Sequence, residues 1–288
     1  MKMIENILYR GKNQVIGFFV VCLCFFPFIV SAQEAAATSC YSHISYIKPE
    51  SNKANRVLYV LIDQTTPLSK AMRQKVTALV TSWGQSGDQV KIASFSANMK
   101  DRHLKLVYDK RRDVAPSQNF LYQLRQKDKQ KLLECFESYK GSFNQSLTEA
   151  MEEVMRSIDI KIPKTEILFS LKELSRSMIA KSDAEHKVVL IVSNGMEHNP
   201  NLSFYSKGTI KMLETRKIIS KVRRLGLIGH WQGANIYMYG LGLLESDKKY
   251  VQSSRLKQLR EFWENYFVEG GGNVAALGMP ELLVSTLE

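Results

Sequence analysis

The chain has 288 residues, with 40 Lys plus Arg against 28 Asp plus Glu and 44% hydrophobic residues. Sixteen Gly and seven Pro exclude a collagen-like or low-complexity chain, and the length suits one large domain or two small ones with ample core. A formal net charge of +12 is the unusual figure.

The first residues read as an export signal. Lys2, Arg10 and Lys12 form a positive n-region, Val15 to Val30 is an apolar run, and Val30-Ser31-Ala32 offers the small-residue pattern of a cleavage site. A run of this length falls short of the roughly 20 residues that span a bilayer, so cleavage after Ala32 is expected, with a retained N-terminal anchor as the alternative. Cleavage removes Lys2, Arg10, Lys12 and Glu5 and leaves a mature charge of +10, so the basicity belongs to the domain. It also removes Cys22 and Cys24. The remaining pair, Cys40 and Cys135, suggests one disulfide in an oxidising periplasmic or extracellular compartment, with two buried free thiols as the alternative.

Residues 33–55 are polar and rich in small side chains and read as a leader segment with little core. The next run, Val57 to Ile62, is almost wholly apolar and ends in Asp63, the look of a strand buried on both faces of a parallel sheet. Leu68, Met72, Val76, Leu79, Val80 and Trp83 then keep helical spacing up to Gly84, with Thr66 as N-cap and Pro67 at the first helical position. Val90–Phe95 and Leu104–Tyr108 read as the next two strands, the second an edge strand given its charged flanks. Lys187–Ser193 and Ala234–Leu241 follow as strands four and five. A helix carries Ile210, Leu213, Ile218, Val222 and Leu225, and another carries Leu256, Leu259, Phe262, Trp263, Tyr266 and Phe267 before a short strand at Val274–Leu277. The aromatic spacing around Trp263 marks core.

Between strands three and four the pattern is helical. Residues 117–139 form one stripe, Ser146-x-x-Glu149 reads as a capping box opening a second helix, Pro163 breaks it, and Thr165 caps a third through Leu168, Leu171, Leu174 and Met178. The chain is thus expected to be a doubly wound, mainly parallel α/β domain over residues 56–288, with helices on both faces and a helical insertion at about 115–160.

In such a sheet the ligand crevice lies at the carboxyl ends of the strands. Strand one delivers Asp63-Gln64-Thr65-Thr66-Pro67 there, and strand four delivers Ser193-Asn194-Gly195-Met196-Glu197. These segments resemble the von Willebrand factor type A family, the fold of integrin I domains. That family runs an apolar strand into Asp-x-Ser-x-Ser, presents a Thr from a later loop and ends a central strand in Thr-Asp-Gly, together forming a metal-ion-dependent adhesion site. The resemblance covers about residues 56–278 and implies that Asp63 and Thr65 match the first Asp and first hydroxyl, with Thr165 the best match to the loop Thr and Thr148 a weaker one. Pro67 stands where the second hydroxyl belongs, and Asn194 where the second Asp belongs. The implied cofactor is therefore Mg²⁺ or Mn²⁺ at a degenerate site, weakened because one carboxylate replaces two. Gln64, Thr66, Ser193 and Glu197 complete the candidate binding face. The same residues also admit a plain reading, with Asp63 capping a helix and Asn194-Gly195 forming a turn.

No nucleophile elbow, phosphate-binding loop or dinucleotide fingerprint is present, and the five His lack ligand spacing. The function implied is an exported binding module for a protein partner in the cell envelope. A metal-assisted hydrolase using Asp63 and Glu197 is the rival from another class, and a structural envelope module with a vestigial crevice is a third. Arg216, Lys217, Lys221, Arg223 and Arg224 crowd one helix, and Lys110-Arg111-Arg112 and Lys127, Lys129 and Lys131 mark the inserted region. They read as solvated faces or as contacts for an anionic surface such as headgroups or a cell-wall polymer; nucleic acid does not suit an exported chain.

Overall fold

The computed structural model describes residues 39–47, 54–96, 104–162, 165–206, 209–244 and 252–288. The export signal, the apolar run, most of residues 33–55 and Pro163 lie outside the described residues. Among the described residues, no helix is long and apolar enough to cross a membrane.

The apolar run before Asp63 forms β1 (Arg56–Asp63), buried from Val57 onward. The chain then makes α1 (Lys70–Ser82), β2 (Gln89–Phe95), β3 (Leu104–Arg111), α2 (Gln118–Gln123), α3 (Gln126–Arg156) and α4 (Ile167–Leu174), the last prolonged by a π-helical turn over Ser175–Ile179. There follow β4 (His186–Val192), the short hairpin β5 (Tyr205–Ser206) and β6 (Thr209–Ile210), α5 (Thr215–Arg224), β7 (Asn235–Tyr239), α6 (Ser253–Glu269) and β8 (Asn273–Leu277). The main sheet has the order β3-β2-β1-β4-β7-β8. All pairs are parallel except β2 with the edge strand β3. Alternate residues of β1 enter opposite cores: Tyr59 and Leu61 pack with α4, α5 and α6, and Leu58, Val60 and Ile62 pack with α1 and the second half of α3. The doubly wound architecture expected from the pattern is what forms.

The inserted region differs from its expectation. Ser146 opens no helix, because α3 runs unbroken for 31 residues and the Ser146 hydroxyl donates to the Phe143 carbonyl inside it. A Ser-x-x-Glu spacing satisfies a local rule, but the buried stripe Leu132, Phe143, Leu147, Met151, Val154 holds one straight helix through it. Half of α3 therefore belongs to the frame, as a layer against the sheet. Its first half, with α2, builds a separate core of Phe120, Leu121, Leu124 and Leu132, into which the leader inserts Cys40 and Ile44. The leader is thus not wholly without core.

Three helix starts also move. Ser69, extended at φ −66° and ψ 161°, caps α1 by accepting the Met72 N–H at 3.2 Å, so Thr66-Pro67 precedes the helix without opening it. Thr165 is not a cap either; α4 begins after Glu166, with no side-chain cap at that position. Ile210 lies in β6 and Leu213 in a connector, since the Gln258 side chain accepts the Leu213 N–H at 3.1 Å and Arg255 donates to the Ile210 carbonyl at 2.8 Å. These two bonds draw the segment out before α5 starts at Thr215.

Candidate functional site

β1 and β4 are neighbours, so their carboxyl ends place Asp63 and Ser193 side by side. Asp63 is fully buried, and its oxygens are surrounded by donors. Oδ1 accepts the Thr65 N–H at 2.9 Å and the Thr65 hydroxyl at 2.6 Å, and Oδ2 accepts the Ser193 hydroxyl at 2.7 Å. Burial pushes the Asp63 pKa up, and these hydroxyl and amide donors pull it back.

Thr165 arrives from the start of α4, its Oγ1 lying 2.9 Å from that of Thr65. Because Thr65 gives its single hydroxyl proton to Asp63, Thr165 must be the donor, and the three residues form a chain of hydroxyls that ends on the carboxylate. Thr66 is buried and accepts the Asn194 N–H at 3.1 Å, tying the two strand-end loops together. The Asn194 side chain is committed elsewhere, since its Oδ1 accepts the Met196 N–H at 2.9 Å in an Asx turn. Gly195 holds the turn at φ +68°. A Cβ there would lie 2.5 Å from Trp263 Nε1, and that indole donates to the Gly195 carbonyl at 3.1 Å. The sequence gave no sign that the core residue Trp263 positions this loop.

Gln64 faces the other way. Its Oε1 accepts the Ser157 hydroxyl at 2.6 Å and its backbone carbonyl accepts the Asp159 N–H at 2.8 Å, so it clamps the end of α3 to β1. It borders a cavity of about 430 Å³ shared with Ser94, Ser96, Lys105 and Arg156. Thr148 is inside α3, where its hydroxyl donates to the Asn144 carbonyl, and contributes nothing to the cluster.

Glu197 is also fully buried and sits at the N-terminus of α4, accepting the Leu168 N–H at 2.9 Å and an amide proton of Asn199. It supplies the cap that Thr165 does not. Burial pushes its pKa up to about 8 against the pull of these donors. Both Glu197 oxygens are thus engaged, one with the start of α4 and one with Asn199.

Few side-chain oxygens here are free to meet a dication. Three donors already occupy most of the roughly four lone-pair sites of the Asp63 carboxylate. Asn194 is neutral and turned into its own loop, and Pro67 brings no side-chain oxygen. Among the described residues no group of three His, Cys, Asp or Glu could hold a metal.

On the remaining candidates, Cys40 and Cys135 are joined by a disulfide, with Cα atoms 5.7 Å apart. The basic helix α5 is partly neutralised: Lys217 pairs with Glu214, Arg223 with Glu269, and Lys221 donates to the Asn201 carbonyl. Arg216 and Arg224 are exposed.

No protein-family model and no curated protein matches the chain. Among solved structures it is similar to the pilus adhesin SpaC from Lactobacillus rhamnosus GG, at 12% identity and a TM-score of 0.39 over 75% of this chain. It is also similar to an aerotolerance-related membrane protein from Bacteroides fragilis, at 12% identity and 0.34 over 77% of this chain and 92% of that one. A third similarity is to the ArnB paralog VWA2 from Sulfolobus acidocaldarius, at 10% identity and 0.33 over 74% of this chain. The chain spans 27% of the length of the adhesin and 40% of that of the archaeal protein.

Proposed function

We propose that this protein is an exported von Willebrand A-like interaction module of the cell envelope, which binds a protein partner through the carboxyl-end face of its sheet. The observation that carries the reading is the convergence of Asp63, Thr65, Thr165 and Ser193, from three separate stretches of chain, on one hydrogen-bonded cluster. A buried carboxylate that orients hydroxyls makes a rigid, polar contact surface and needs no metal of its own. Thr65 is its half-buried member and the one set to meet a partner.

The class is a non-enzymatic binding protein, and the partner is a folded or extended polypeptide offering hydrogen-bond acceptors and donors to Thr65 and Thr165. Co-purification of the full chain from envelope extracts tests this. Partner recovery is expected to survive chelation by EDTA and to fall at least tenfold in Thr65→Ala at a temperature where the variant, destabilised by the loss of its bond to Asp63, is still folded. Unaltered recovery in that variant, or recovery abolished by EDTA, would overturn the reading.

A further inference from the structure

The lobe built from residues 39–47, α2 and the first half of α3 lies at the pole opposite the crevice. Arg111, at the end of the antiparallel strand β3, pairs with Gln89 at the start of β2, and Tyr139 of α3 donates to the Arg111 carbonyl. Tyr41 donates to the Val114 carbonyl nearby. The other end of α3 is the one fastened to Gln64. A helix of 31 residues is about 46 Å long, whereas the eight-residue β1 reaches only about 26 Å. The lobe therefore projects beyond the sheet.

Its tip has an unusual surface. Tyr122 is 79% exposed, Tyr46 44% and Leu133 42%. Arg125, Lys127, Lys129 and Lys131 stand among them with two acids, Asp128, which accepts a hydrogen bond from Tyr46, and Glu134, which accepts one from Gln130. Arg125 stacks on the Tyr46 ring at 4.9 Å and Lys129 lies 5.8 Å from the Tyr122 centroid, so two cations at the tip each lie over an aromatic ring. The helix gains nothing from these cations, since the start of a helix favours acids. On α5, by contrast, the basic residues complement the end of their helix, and several hold partners.

We propose that this disulfide-stapled lobe seats the protein on an anionic phospholipid surface, with Lys127, Lys129 and Lys131 against the headgroups and Tyr46 and Tyr122 at headgroup depth. Exposed Tyr among Lys and Arg suits that interface, and the cationic tip complements its negative potential. The crevice then faces away from it. The proposal stands independently of the crevice reading, because it needs no partner protein.

The test is flotation of the full chain with vesicles of phosphatidylcholine, with and without phosphatidylglycerol. Binding to the neutral vesicles sets the baseline, and the increment on adding the anionic lipid measures the lobe. Each basic residue near an anionic surface is worth roughly a fivefold gain, so K127E/K129E/K131E is expected to lower the increment about a hundredfold with its thermal midpoint kept. R216E/R224E on α5 should leave it unchanged, and added salt should weaken it. Three results would overturn the proposal: no increment, an increment that survives in the lobe variant, or one that the α5 variant removes equally. Soluble polyglycerol phosphate binding as tightly as the vesicles would remove the membrane as the partner.

Discussion

The two poles of this molecule handle charge in opposite ways. At the crevice, Asp63 and Glu197 are buried and turned inward onto hydroxyls, amides and a helix start, so the surface offered outward is one of neutral hydrogen-bonding groups. At the lobe, the cations point outward from a small core that a covalent bond helps to hold. The first pole derives its precision from the large sheet behind it; the second has too few apolar residues to be rigid alone and depends on its staple.

Breaking that staple should have the largest effect. Cys40 and Cys135 are 95 residues apart, so the chain-entropy model gives about 4.7 kcal/mol for the crosslink. C40S/C135S should lower stability in urea by about that amount, and the wild type should match the variant in dithiothreitol. Gly195→Ala comes next, expected to cost about 3 kcal/mol, because a positive φ and the contact with Trp263 both oppose a methyl group. It tests the crevice pole alone, and lipid binding should survive it. Glu197 gives a smaller, pH-dependent effect. Its folded pKa of about 8 lies above its ordinary value of 4.5, so its stabilising contribution is full below pH 4.5 and is lost as pH rises through 8. Denaturation across that window should show wild-type stability falling with pH, and Glu197→Gln should flatten the slope. Smallest of all, Tyr122→Ala should change stability by less than about 0.5 kcal/mol, being 79% exposed, while reducing the lipid increment. A large loss of stability there would show the tip to be structural.

Much of the sheet was legible in the sequence because buried parallel strands leave long apolar runs, and the crevice was legible because strand ends can be counted. Asp63, Thr65 and Thr165 do meet, but the fourth member of the cluster is Ser193 and not the Asn194 side chain. The roles of the neighbours were not legible. Ser69 and Thr66 are both hydroxyl residues near a helix start, and only the position of Asn194, 128 residues further on, decides that Thr66 is held by the loop and Ser69 caps the helix. Asn194 likewise offers the same amide whether it faces Asp63 or its own turn; the backbone of Met196 settles it. The capping-box spacing at Ser146 misled for a related reason, since a local pattern cannot weigh the continuous burial on the far side of α3.

The long helix α3 carries a mechanical consequence. It is a single rod whose base is part of the stapled lobe and whose far end is clamped to the residue following Asp63. With a length of about 46 Å, a tilt of about five degrees at the base would swing the free end by about 4 Å. The crevice therefore cannot be indifferent to how the base is fixed: a lever this stiff makes the footing of one pole a boundary condition on the shape of the other.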